Sequence, residues 1–515
     1  MRKINRRAFN VGVTSSTILG SSLFQNQAYC GLVPSADFEP DIEFDLVAQK
    51  TKTQVWKGEK TDVFKYVGEV TSGRKESVKN LPSYLGPTLD FNRGEKVRIR
   101  FKNELDEPSI VHWHGLIVPE PADGHPQLSI KPNQEYVYEF EVNNRAGTYW
   151  YHPHPHGRTG YQVYYGLGGV FIVRDPSEKS INLPSGTDEH ILVIQDRRAN
   201  RKNQFEYVSA PSDSMMGFLG NEILINGESD KSIKVDRKPN RIRLLNLSNS
   251  RVYKFAWSDD SPMNVIGTDG GLLAGDEGPV KKPFIVLGPA ERVEIWEDFS
   301  SKKANSEVKL ISQEFQFKVG MGMGRNRFWS KLGDRNGRGM MRMMRGPGEK
   351  LEIATFKISD SKPQKGQLPK LPGKKPKATV ADKEYKTSLG FRAMQGFLNG
   401  KQWVMDNMAH VDANEIIPLN KTIDWVFDNA TEPGMLMPHP MHLHGVQFRI
   451  VERKGDGADD LAKGVVDSGL KDTVMVFAGD EVKIQFKPTV PGLFVYHCHN
   501  LEHEDRGMMR NFLVK

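Results

Sequence analysis

VRIRFKN, residues 97–103, places Val97, Ile99 and Phe101 at alternate positions and closes on Asn103. Side chains alternate faces along an extended chain, so this pattern predicts a strand with one face in a core. Two later stretches repeat it: IRLLN (242–246) and IDWVFDN (423–429). A second acid-bearing alternating strand also recurs, in PNQEYVYEFEV (132–142), GPAERVEIWEDF (288–299) and AGDEVKIQFKP (478–488). Each copy follows a Gly, Asn or Pro turn. Self-similarity at a period of roughly 150 residues indicates duplicated domains, not a solenoid of 20–50-residue repeats.

Working outward, the repeat divides the chain into an all-β domain over 37–178, a second over 185–358 and a third over 383–515. The 515 residues agree with three domains of ordinary size, and 48 Gly with 30 Pro supply the turns that short strands need. Residues 359–382, beginning SDSKPQKGQLPKLPGKKPKA, are Lys- and Pro-rich and read as an extended, solvated linker. The head, 1–36, has Arg2, Lys3, Arg6 and Arg7 before a mildly apolar stretch and small residues, the layout of an export signal. NRRAF (5–9) resembles the twin-arginine type, which predicts a periplasmic or otherwise exported protein.

The formal net charge is +7, but the four basic residues of the head are unopposed before Asp37, and +3 remains without them, scattered along the chain. Nucleic acid as the main partner is excluded on that distribution. No run reaches the ~18 apolar residues of a membrane span. Of two cysteines, Cys30 lies in the head, which leaves Cys498 alone and rules out a disulfide framework.

Ten of 14 histidines fall in four blocks: His112-Trp-His114, His152-Pro-His154, His439-Pro-Met-His442-Leu-His444 and His497-Cys498-His499 with His503. On a strand, residues i and i+2 share a face about 6.6 Å apart. Four His-x-His pairs supply eight imidazoles, too many for one tetrahedral zinc and suited to a cluster of several metals. The middle domain has no such block, which reads as a structural part between two functional ones. If 497–499 is extended, His497 and His499 face one way and Cys498 the other. Cys498, His503, the unpaired His439 and Met508 then form the two-His, one-Cys, weak-thioether set of a blue-copper electron-transfer site.

HWHGL (112–116), WYHPHPHG (150–157), HPMHLHG (439–445) and HCHNLEHEDRGMM (497–509) resemble the four copper-binding motifs of the multicopper oxidases, in family order and spacing. The resemblance implies three cupredoxin-like Greek-key β-barrel or sandwich domains and four copper ions as cofactors. It implies type 1 ligands His439, Cys498, His503 and Met508, type 2 ligands His112 and His442, and type 3 ligands His114, His152, His154, His444, His497 and His499. His156 stands as a bystander. Asp123 and Glu504 match family positions for proton delivery and water orientation, although either residue alone reads as a surface carboxylate. The implied reaction takes single electrons from a small reductant at type 1 copper. They pass through Cys498 to His497 or His499, and dioxygen is reduced to two waters.

Within that family the chain is most like bacterial copper-efflux oxidases, which implies Cu(I) as reductant and a part in copper tolerance, by a monomer. Met321, Met323, Met340, Met341, Met343 and Met344 are candidate soft contacts for substrate copper, as is Met437 beside His439. The insert differs from the efflux pattern in being short and rich in arginine, and 434–438 (GMLMP) lacks the acid common there. A laccase-like phenol oxidase or a ferroxidase uses the same chemistry, whereas a non-catalytic cupredoxin-fold envelope protein would lack the ligands.

Overall fold

A computed structural model describes residues 31, 33–323, 326–332, 348–376 and 379–515. The repeated strand occupies one topological place three times. Lys96–Asn103 pairs parallel with Ile42–Thr53 and antiparallel with Glu135–Glu141. Pro239–Asn246 does so with Glu189–Arg197 and Arg292–Asp298, and Ile423–Asp428 with Lys383–Arg392 and Glu481–Phe486. The antiparallel partners are the three copies of the second repeated strand.

Across from each of these sheets lies a five-stranded one, so the described chain is three two-sheet sandwiches. Each has its own core, built around buried Trp113, Trp257 or Trp425. In the first sandwich the second sheet ends in Gly147–Pro153 and Val111–His114. In the third it carries Gly492–Cys498 beside His439–Leu443. Helices are short: Thr159–Tyr165, Pro211–Met216 and Leu501–Glu504. No helix among the described residues is long and apolar enough to cross a membrane.

Three stretches depart from the sequence reading. Described residues of 359–382 form no strand or helix, as expected, but they are not a free spacer. Leu371 enters the middle core, and Gly366 and Lys375 donate backbone N–H groups to Asp298 and Asp276. The composition conceals this because one leucine and two main-chain N–H groups make the attachment. At the head, residues 1–30, including Cys30, lie outside the described residues, while Ser35 belongs to the first sandwich. Its N–H donates to Glu139, and its carbonyl accepts from Arg98, which also bonds the Phe38 carbonyl. Third, Phe317–Met323 joins Asn326–Leu332 and Gly434–Leu436 in a small sheet between the middle and third sandwiches.

Candidate metal centre

Strand register puts the histidines opposite one another. His112 pairs with His152 across two strands of the first sandwich, and His442 with His497 across two strands of the third. Cross-strand partners share a face, so each sandwich presents four imidazoles on one side. The two quartets meet. His114 stacks on His442 with ring centres 3.7 Å apart, and His112 on His444 at 3.6 Å.

The nitrogens are ordered by their outer partners. His112 Nδ1 donates to the Asp123 carbonyl at 2.6 Å and His442 Nδ1 to the Asp472 carbonyl at 2.7 Å. Both Nε2 atoms are therefore bare lone pairs, and they face each other at 3.4 Å. His444 Nδ1 donates to Asp123 Oδ2 at 2.7 Å; His497 Nδ1 donates to the Cys498 carbonyl at 3.3 Å with Glu504 Oε2 3.1 Å away, and the Nε2 atoms of the two rings lie 3.2 Å apart. Facing lone pairs inside protein repel unless a cation sits between them, and carbonyl or carboxylate partners behind metal-binding imidazoles are the usual second layer. His114 is reversed. Its Nε2 donates to Asp472 Oδ1 at 3.0 Å, so the unpartnered Nδ1 is the free donor.

Three groups result: His112, His114 and His442; His114, His152 and His499; and His154, His444 and His497. Burial, reinforced by neighbouring imidazoles, holds His112, His114, His442, His444 and His499 well below their ordinary pKa, and burial takes His152 down to about 4. Neutral imidazoles are the metal-binding form.

Strand Gly492–Cys498 carries its sulfur to the other side. His497 and His499 lie in the quartet with ring centres 5.4 Å apart, while Cys498 Sγ faces His439 Nδ1 at 3.4 Å and His503 Nδ1 at 3.7 Å. Burial pushes the thiol far above its usual range, and a bound cation is the kind of partner that would favour the thiolate here. Met508 is buried in the same core cluster, and its carbonyl accepts from the Cys498 N–H at 3.0 Å.

The short helix Leu501–Glu504 connects the two places. Glu502 accepts from Tyr207, Phe218 N–H, Asn249 and Ser250 of the middle sandwich, and Asp505 accepts from Thr159 and Gly160 N–H of the first. Between those anchors, His503 points to the sulfur and Glu504 to His497. Asp123 and Glu504 are both fully buried, not surface acids. Burial, with Glu120 nearby, raises the Asp123 carboxyl well above the usual range. At Glu504 burial acts in the same direction, but His497 and His154 outweigh it and hold the carboxyl low.

The other histidines stay out of the groups. His125 bonds Asn511, His190 bonds Asn240, exposed His410 bonds Asp412, and His156 stacks on Trp403. Met340, Met341, Met343 and Met344 lie outside the described residues. Met321 and Met323 lie on the strand Phe317–Met323, where Met321 is in register with Met435. Met437 is buried. Sequence reasoning missed Asp472, Arg292 and the half-buried Met215, Met216 and Met435, which pack in one cluster with Met437. Only the density of Met near 434–438 could have signalled the last.

The glycine of HWHG has a steric reason. Gly115 has φ +86°, and a Cβ there would lie 2.4 Å from Asp472 Oδ2 and 2.7 Å from Arg292 Nη2. Gly115→Ala is expected to lose about 1–3 kcal/mol, read as a lower melting temperature of the copper-free protein. An unchanged melting temperature would refute this account.

Two family models, each described as Multicopper oxidase, match the chain, one over residues 71–178 and the other over 376–515. The chain is 30% identical to "Multicopper oxidase mco" of Staphylococcus aureus, covering 94% of this chain and 91% of that one. The crystal structure of McoA multicopper oxidase from Aquifex aeolicus superposes with a TM-score of 0.75 at 31% identity, covering 93% and 97% of the two chains. A multicopper oxidase from Campylobacter jejuni, described as a metallo-oxidase, gives 0.73 at 27% identity over 92% and 91%.

Proposed function

The chain belongs to the multicopper oxidase family, and on that premise we propose that it is an exported cuprous oxidase that contributes to copper tolerance. The family carries four coppers, one type 1, one type 2 and two type 3. The facing lone pairs of the quartets and the buried thiol beside two imidazoles fit that set. In this reading His439, Cys498, His503 and Met508 hold type 1 copper, and His112 and His442 hold type 2. His114, His152 and His499 hold one type 3 ion; His154, His444 and His497 hold the other. Copper bound there supplies one-electron redox steps and the place where dioxygen accepts four electrons. With four protons, four Cu(I) and one dioxygen give four Cu(II) and two waters.

The chain's own residues do the rest. His439 and His503, both fully buried, flank the Cys498 sulfur, and Cys498 is joined to His497 and His499 through one peptide unit on each side. Asp123 and Glu504 stand behind imidazoles of the quartets, placed to carry protons.

One observation carries the choice of Cu(I). The Met-bearing strand Phe317–Met323 is paired with Gly434–Leu436, so Met321 lies beside Met435, four residues before His439. Met435 packs in one cluster with Met215, Met216 and Met437, and the Met215 carbonyl accepts from His503 Nε2 at 3.1 Å. Thioethers are soft donors that prefer Cu(I) to Fe(II). The stretch 434–438 (GMLMP) carries no acid, and among the described residues the buried His439 Nε2 has no hydrogen-bond partner.

Oxygen uptake with Cu(I), Fe(II) and a phenol on one preparation tests the reading. Replacing Met321 and Met435 by Leu should lower kcat/KM for Cu(I) by about tenfold, the equivalent of ~1.4 kcal/mol, and leave phenol oxidation within a factor of two. Unchanged Cu(I) turnover in that variant would remove the support, and a wild type that prefers the phenol would make the protein laccase-like.

A further inference from the structure

Among its described residues the middle sandwich contributes none of the copper ligands assigned above, yet one of its side chains reaches the second layer of the cluster. Arg292 is fully buried, and all five of its side-chain N–H donors are matched. Nε donates to the Thr148 carbonyl of the first sandwich at 3.0 Å. Nη1 donates to Ala290 O at 3.1 Å and Asp472 Oδ1 at 2.7 Å, and Nη2 to Asp269 O at 3.0 Å and Asp472 Oδ2 at 2.6 Å. The guanidinium thus ties together all three sandwiches.

Asp472 is the residue that this fork holds. Its Oδ1 accepts from His114 Nε2, and its carbonyl accepts from His442 Nδ1. Asp472, with the adjacent Thr473 hydroxyl 3.1 Å from His114 Nε2 and 3.3 Å from His442 Nδ1, therefore sets which nitrogen of His114 is free and which way His442 points. The segment is further pinned by Asp269, whose Oδ2 lies 3.4 Å from the N–H groups of both Asp472 and Thr473.

We propose that Arg292 is a positioning residue of the trinuclear site: it locks Asp472 so that His114 offers Nδ1 and His442 offers Nε2 to copper. The middle sandwich is then part of the catalytic assembly and not only a spacer. Lysine cannot replace it, because an ammonium has three donors and no planar fork. The inference rests on the copper assignment above and is independent of which reductant the enzyme uses.

The test is Arg292→Lys in the full-length, copper-loaded protein, read by copper content, the blue absorption band, the type 2 EPR spectrum and kcat. The expected result is a retained blue band, an altered or lost type 2 spectrum, fewer than four coppers per chain, and kcat down about 10–100-fold, the range for outer-layer partners of metal ligands. Should Arg292→Lys fail to fold, Asp472→Asn carries the same expectation, since its amide would face Arg292 Nη2 donor against donor. Four coppers with an unchanged type 2 spectrum would overturn the proposal, as would loss of the blue band in step with the rest, which marks a general structural role. A wild type that takes up no copper would overturn the underlying assignment instead.

Discussion

Cys498→Ser is expected to bleach the blue band and to lower oxygen consumption by more than about 10³-fold, over ~4 kcal/mol in the barrier. The cluster's copper should stay in place. Serine has the same branching as cysteine with a smaller terminal atom, so it fits the fully buried position without displacing its neighbours. His497 and His499 keep their positions because strand pairing holds them, with His442 opposite His497 and the His499 N–H on the Pro440 carbonyl. What is lost is the soft anionic ligand, which a buried hydroxyl cannot replace, and the covalent path from one centre to the other. Elemental analysis and EPR should find type 1 copper weakened or absent and the type 2 signal present. Colour and turnover surviving in the variant would mean that electrons reach the cluster by another path.

Much of this architecture is visible in the chain as written. The alternation in VRIRFKN, and its copies at 242 and 423, report strands that prove equivalent down to their parallel and antiparallel partners. Alternation also puts Cys498 and its neighbours on opposite faces without reference to anything distant. Contacts made when separate sandwiches meet were not visible. Arg292 and Asp472 are 180 residues apart, and His114 and Asp472 are 358 apart. No local period marks either pair. Asp123 and Glu504 were indistinguishable from surface acids until resemblance singled them out, because their burial is produced by the meeting of the quartets. Met215 and Met435 look like ordinary apolar residues, and the contact of the Met215 carbonyl with His503 and the packing of Met435 beside Met437 depend on how a short helix and a small sheet span two sandwiches.

Asp123→Asn and Glu504→Gln are each expected to cut kcat by about 10²–10⁴-fold, the range for a lost proton-transfer group, while the blue band and KM for the reductant change little. Reduction of one dioxygen to two waters consumes four protons, and the quartet histidines are fully buried, so groups inside the protein are placed to pass protons to them. Among the described residues that touch the quartets, three carboxylates are available. Asp472 is occupied by the Arg292 fork, which leaves Asp123 on His444 and Glu504 on His497, with His154 Nδ1 3.7 Å from Glu504. Both substitutions keep shape and remove the ionisable oxygen. They separate proton supply from ligand orientation. A carboxamide oxygen can still accept from the imidazole Nδ1, so copper content and the type 2 spectrum should hold while turnover falls, and the solvent deuterium isotope effect on kcat should rise. If kcat fell less than threefold in both variants, protons would enter elsewhere. If copper were lost with kcat, the two acids would be positioning groups, on the same footing as Asp472.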